Sequence, residues 1–320
     1  MKTILVPLDG SAVAEQVTAS VRLLAPIFTA RVHLLVVITD EQIQHLIASF
    51  AAAPLGAAGR YETDWHWERR AQTQLADAAE AYLTDQAQAL RTAGLEVTFE
   101  VTSGAPAERI VDIAAREPQA LIAMATHGYS GLRRWTLGSV ADKVAQATRT
   151  PIFLVRARQQ PPAGAQSLQR ILVPLDGSAL AEQALPLAIE LAVRAQAELL
   201  LFHAVRPFVA SAPDLLPFHR PPPTIDFPAQ GHAQALQQLH GVIERWHPHE
   251  IAVLPVVTSG EPAQEIVDIA AREHVDLIVM ATHGYSGVRR WALGSVADKV
   301  LHSTTTPLLL VRAQSDELER

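Results

Sequence analysis

Two glycines separated by nine residues, the second followed by serine and valine, occur twice in this chain: Gly128 with Gly138, Ser139 and Val140, and Gly284 with Gly294, Ser295 and Val296. Glycine lets a phosphate oxygen come close to the backbone. A helix that opens at the second glycine adds unpaired amides and a partial positive charge, and the Ser139 or Ser295 hydroxyl adds a further donor. The chemistry is that of a phosphate cradle. For one such loop, a glycine-assisted turn with a serine N-cap would explain the residues as well. The stretches Met124 to Val144 and Met280 to Val300 differ at only 2 of 21 positions, while other parts of the chain have diverged, and that favours a ligand. His127 and His283 stand just before the loops, placed to donate to phosphate or to hold the turn. Asp9 and Asp176, each in a DGS tripeptide, can accept from a ribose hydroxyl or a base edge, or close an Asx turn that starts the next helix.

The elements that must position these residues are themselves written twice. ILVPLDGSAVAEQ from Ile4 returns as ILVPLDGSALAEQ from Ile171, SGAPAERIVDIAARE from Ser103 as SGEPAQEIVDIAARE from Ser259, and TPIFLVRA from Thr150 as TPLLLVRA from Thr306. The repeated unit is a whole domain, too long for a solenoid repeat. The sequence divides into a first domain over 1–157, a Pro/Gly/Gln-rich linker over 158–169, a second domain over 170–314 and a tail over 315–320. Within a copy, ILVPL, VHLLVVI, LEVTFEV, ALIAMAT and PIFLV alternate with helical patterns. Nearly continuous apolar runs are those of strands buried on both faces. Five strands separated by helices predict a parallel, doubly wound, Rossmann-like α/β sheet in each copy. In such a sheet ligands bind beyond the carboxyl ends of the strands, where the strand order reverses. Asp9 and Asp176 follow the first strands and the glycine loops follow the fourth, so both fall at one crevice. The copies differ most over 40–60, which is alanine-rich, and 206–231, which is proline-rich and predicted to lack regular structure.

Composition limits the alternatives. Apolar residues make up 49% of 320 and charged residues 18%, as in globular domains with large cores. A net charge of −7 gives no general attraction to nucleic acid or to an anionic membrane. Without cysteine there are no disulfides, thiol catalysis or thiolate metal sites. The apolar start is cut short by Pro7 and Asp9, and no run approaches the roughly 18 residues of a membrane span. A soluble, cytoplasmic protein is expected. HGYSG lacks the GxSxG spacing of a nucleophile elbow by one residue, and no Walker loop or GxGxxG occurs. HPHE at His247 to Glu250 has no counterpart in the first copy, and its proline breaks helical ligand spacing, so no metal site is assigned.

The paired loops carry a resemblance to the universal stress protein family, in tandem form, over nearly the whole chain. That family's motif is Gly, two residues, Gly, nine residues, then Gly followed by Ser or Thr. Gly128, Gly138 and Ser139 match it, as do Gly284, Gly294 and Ser295, but Ala125 and Ala281 replace the first glycine. The resemblance implies ATP as ligand, with or without Mg2+. It implies that Asp9 and Asp176 hold the ribose or adenine, that the backbone at Val37 and Ala204 faces the base, and that Pro7 and Pro174 lie in the first-strand segment. It also implies pairing of last strands, Ile152 to Val155 with Leu308 to Val311, inside one chain; a further homodimer is left open.

Three functions fit these residues: an ATP-binding stress-response sensor or adaptor with up to two sites per chain, a slow nucleotide hydrolase or phosphotransferase, and a scaffold whose cradle is empty. No nucleophile stands beside a paired base, so fast turnover is not expected. Protein partners are not legible.

Overall fold

The computed structural model describes residues 1–52, 64–126, 139–157, 167–206, 227–246, 250–283 and 294–313. His127, Gly128, Gly138 and Gly284 lie outside them. The chain forms two compact units, Met1–Gln166 and Ser167–Arg320.

In the first unit the strands are β1 (Thr3–Leu8), β2 (Arg31–Ile38), β3 (Val97–Ser103), β4 (Ala120–Thr126) and β5 (Ile152–Arg156). In the second they are β6 (Arg170–Pro174), β7 (Glu198–Val205), β8 (Val253–Ser259), β9 (Leu277–His283) and β10 (Leu308–Ala313). The orders are β3-β2-β1-β4-β5 and β8-β7-β6-β9-β10, parallel throughout. This is the doubly wound sheet expected from the apolar runs. The order reverses at β1 and β6: from each, one crossover leads outward to β2 or β7, and a later one returns on the other side to β4 or β9. The central strands are the driest. Ile4, Leu5 and Val6 in β1 and Ile171, Leu172 and Val173 in β6 have no exposed surface, as strands covered by helices on both faces require. β3 and β8 each lie at one edge of their units. Pro255 sits in β8 opposite Leu201 of β7, a position where a missing amide is tolerated because the other side of the strand has no partner in its unit.

Each first strand leads through the same turn into a short helix. Asp9 Oδ1 accepts from the Ser11 amide (3.0 Å) and Asp176 Oδ1 from the Ser178 amide (2.9 Å), with Gly10 at φ +79° and Gly177 at φ +83°. The serine hydroxyls then accept from the amides of Ala14 and Ala181, both at 3.1 Å, capping α1 (Ala12–Glu15) and, in the second unit, its counterpart α7 (Ala179–Glu182). The Asx turn anticipated at DGS is therefore present in both copies. The helices that follow, α2 (Val17–Phe28) and α8 (Leu185–Ala195), end on left-handed residues that are not glycine, Thr29 at φ 54° and Gln196 at φ 53°. The backbone path is thus kept where the residue type is not.

The amino ends of the strands preserve a charge arrangement by exchange. In the first unit Arg31, opening β2, meets Glu117 at 2.6 Å and donates to Thr3 of β1 at 3.1 Å. In the second unit the arginine moves to β6: Arg170 meets Glu198 of β7 at 2.8 Å and Glu273 at 3.8 Å. Thr3 and Arg31 have become Arg170 and Glu198, and the carboxylate at Glu117 or Glu273 is neutralised either way.

The 40–60 region departs from the sequence reading, which assigned it no element. A helix, α3 (Asp40–Ala52), forms there and packs on α4 (Asp64–Thr92), the long helix whose end is marked by Gly94 at φ +84°. Ile43, Leu46, Ile47 and Phe50 share one face of α3 and build a small core with Ile38, Ala71 and Leu75. Trp67 of α4 packs tilted against Phe50 with ring centroids 5.6 Å apart, and the Arg70 guanidinium lies 5.3 Å from the Phe50 ring centroid. In the second copy the stretch predicted to lack regular structure is helical at its end, where Phe227 to Gly231 open α9 (Phe227–Trp246), and 207–226 fall outside the described residues.

α4 is also tied to the start of the first unit. Tyr82 donates to Glu15 Oε1 at 3.0 Å, and Gln86 Nε2 to the same oxygen at 3.2 Å. Burial pushes the Tyr82 phenol well above its ordinary value of 10.0; the hydrogen bond to Glu15 and the negative charges of Glu15 and Asp9 push it further. With the folded value raised, the native state keeps this proton at pH values where the unfolded chain has lost it. Stability from this group is complete below about pH 10 and is lost as pH rises beyond it. Urea unfolding at pH 8 to 11 should show a decline at the alkaline end that Tyr82→Phe reduces. An unchanged slope in the variant would refute the assignment.

Candidate functional site

At the carboxyl end of the second unit's sheet lies a cavity of ≈ 430 Å³, within the range of small-ligand sites. Its floor comes from three adjacent strands. β6 supplies Pro174 and continues into Leu175 and Asp176, β7 supplies Phe202, His203 and Ala204 with Arg206 just beyond, and β9 supplies Met280, Ala281 and Thr282. Register brings them level: Pro174 pairs with Phe202, and Leu172 with Ile278 two positions before Met280. Two helices close the sides. Pro262 and Ile266 belong to α10 (Pro262–Arg272), while Ser295, Val296 and Ala297 form the first turn of α11 (Ser295–Ser303).

The α11 end carries the chemistry. Gly294 is its N-cap, with φ −56° and ψ 147°, and has no side chain to cap the first amides. Its carbonyl already accepts from the Asp298 amide at 2.9 Å, so the helix is set from its first turn. The leading amides of α11 therefore meet the cavity together with the Ser295 hydroxyl, a donor-rich and electropositive wall suited to an anion. Across the floor stand Asp176 and the end of β7.

Of the nine second-copy positions singled out from sequence, seven line this cavity: Pro174, Asp176, Ala204, Ala281, Gly294, Ser295 and Val296. His283 ends β9, and Gly284 is outside the described residues. In the first unit Pro7 lies in β1 opposite Leu35, Asp9 follows β1, Val37 lies in β2 opposite Thr102, and Ala125 lies in β4 opposite Val155. Ser139 and Val140 open α6 (Ser139–Ala147). The same topological places are filled in both copies.

A family model described as "Universal stress protein family" matches residues 1–156 and again 167–312. The chain belongs to that family. Among the curated universal stress proteins, YxiE of Bacillus subtilis is 34% identical over 145 residues, which cover 45% of this chain and 98% of YxiE. Rv2005c of Mycobacterium tuberculosis is 27% identical over 221 residues, covering 68% of this chain and 70% of its own. The crystal structure of a universal stress protein from Archaeoglobus fulgidus matches 97% of this chain and 98% of its own at TM-score 0.71 and 19% identity, a likeness of fold.

Comparing the cavity with the other universal stress protein copy in the same chain exposes residues that the motifs did not flag. Of 19 lining residues, 14 recur in identical form at the matching first-copy position. The five that change are Leu180, Phe202, His203, Ala204 and Arg206, where the first copy has Val13, Leu35, Val36, Val37 and Thr39. Four of these belong to β7 or follow it directly. His203 and Arg206 were missed because they belong to no motif; the signal for them is the copy-to-copy difference at one sheet position. Among the described residues no group of three or more His, Cys, Asp or Glu is placed to hold a metal ion, and no helix is long and apolar enough to cross a membrane.

Proposed function

We propose that this universal stress protein binds ATP at the carboxyl end of each copy's sheet and acts as a nucleotide-dependent sensor or adaptor in the cytoplasmic stress response. The observation that carries the reading is the convergence of Asp176, the end of β7 and the uncapped first turn of α11 on one cavity in the second copy. The α11 amides and Ser295 would take phosphate oxygens. Asp176, whose Oδ1 already fixes the turn through Ser178, would present its carboxylate to the ribose, and Ala204 would border the base. A Mg2+ ion would enter with the phosphates, whose charge it offsets. The first copy, with Pro7, Asp9, Val37, Ala125, Ser139 and Val140 in the same places, would form a second site.

Thermal unfolding with and without ATP and Mg2+ tests this. A ligand held at about 100 times its dissociation constant stabilises the state it binds by about 2.7 kcal/mol, a rise of several degrees for domains of this size. Gly138→Val with Gly294→Val, which puts a branched side chain at each cradle, should abolish the rise. The backbone of Gly294 lies in a region open to valine, so folding should survive. If the wild type shows no rise with ATP, ADP or AMP, the nucleotide reading is wrong and a scaffold role replaces it.

A further inference from the structure

The two copies share one end of the site and differ at the other. The cradle side is repeated residue for residue in Met280, Ala281 and Thr282 and in Gly294, Ser295 and Val296. At the β7 side, Val36 and Thr39 of the first copy have become His203 and Arg206. Thr39 is committed to its own helix: its amide donates to Gln42 Oε1 at 2.9 Å, and its hydroxyl accepts from the Gln42 amide at 3.2 Å. Arg206 and His203 make no hydrogen bond or ion pair with any described residue, yet both line the cavity. The second site thus holds a guanidinium and an imidazole facing a ligand space, where the first holds an apolar side chain and a helix cap.

Sheet geometry sets what these groups can reach. β6 lies between β9 and β7, and neighbouring strands are about 4.8 Å apart. The α11 end, reached from β9, and the end of β7 are therefore separated by about 10 Å across the sheet. Laid over that span, a nucleotide with its 5′-phosphate at α11 has its ribose above Asp176 and its base at Ala204, and the ribose hydroxyls can turn toward Arg206 just beyond β7. In dinucleotide-binding sheets of this kind a group near the end of the second strand reads the ribose: a carboxylate takes the free hydroxyl, and an arginine accommodates a phosphate there. β7 is the second strand of its unit. Arginine's planar fork suits a phosphate better than any neutral partner would.

We propose that the second copy selects an adenine nucleotide bearing a phosphate on the ribose in addition to the 5′-phosphate, read by Arg206 with His203, and that the first copy does not. The inference rests on the nucleotide reading and narrows it to different ligands for two otherwise matching sites.

Isothermal titration of the full chain with AMP, adenosine 2′,5′-bisphosphate and adenosine 3′,5′-bisphosphate tests it, and the two isomers identify the ribose position. One site should bind a bisphosphate about tenfold or more tightly than AMP, the effect of an added charge-assisted hydrogen bond. Arg206→Gln should bring that ratio close to one, Arg206→Lys should restore part of it, and His203→Val should lower it. Arg206 is exposed and unpartnered among the described residues, so its replacement should leave the melting temperature unchanged. Equal affinity for AMP and both bisphosphates at each site, or a ratio that survives Arg206→Gln, would overturn the selectivity while leaving nucleotide binding intact. Failure of AMP, ATP and both bisphosphates to bind at all would remove the nucleotide reading itself.

Discussion

Leu172→Ala should destabilise the second unit by about 2–5 kcal/mol, the range for deleting a buried leucine side chain. Leu172 has no exposed surface, lies in the central strand β6, and pairs with Leu200 on one side and Ile278 on the other. Alanine there forfeits the transfer free energy of the lost carbons. It also leaves a cavity between helix-covered faces that cannot collapse without moving two strand pairings. Leu5→Ala, the matching change in the equally dry β1, should act similarly on the first unit. Leu172→Met keeps volume and should cost less than about 1.5 kcal/mol. Urea midpoints give the energies, and peptide-resolved hydrogen exchange should place the lost protection in β6, β7 and β9. If alanine and methionine cost the same, the tight packing inferred around β6 is not there.

How much could be read in advance follows from the same contrast between dry strands and diverged segments. The inner strands were legible because burial on both faces forces near-continuous apolar runs, and ILVPL or ALIAMAT admits few other readings; β3, half-exposed, alternates instead, as LEVTFEV shows. Helix α3 was not read although its signal was present: Ile43, Leu46, Ile47 and Phe50 fall at helical spacing. The stretch has no counterpart in the other copy, and its alanines carry little preference for one face. On the site, Asp176 and Ser295 belong to repeated motifs and were visible as letters. His203 and Arg206 were not, because a lone histidine or arginine after an apolar run is ordinary; only the pairing of β7 beside β6 turns them toward the cavity. The Asp9 and Asp176 turns had two readings in the sequence, and the structural one is realised through Oδ1 in both copies. The turn fixes the carboxylate at the strand end, a precondition for presenting it to a ribose.

Replacing Ala281 with phenylalanine should weaken nucleotide binding at the second copy by about tenfold to a hundredfold, the effect of about 1–3 kcal/mol of overpacking where a ligand must fit. Ala281 lies on the cavity floor next to Thr282, in the strand that leads into the cradle, and pairs with Val311 of β10. Its methyl group stands where the family motif has glycine, so under the proposed nucleotide reading the position would be one of close approach between backbone and ligand. Ala281→Gly should therefore bind at least as tightly as the wild type, and the two substitutions should move affinity in opposite directions. Ala125→Phe should act in the same way on the first copy. Titration with ATP and Mg2+ separates the sites: each single phenylalanine variant should weaken one binding event, and the double variant both. Ala281 is half-buried and lines the cavity, so the ring has that space to enter and folding should be affected little. Should Ala281→Phe bind as the wild type does, the ligand does not cross this floor. The cradle at α11 would then have to serve something smaller than a nucleotide.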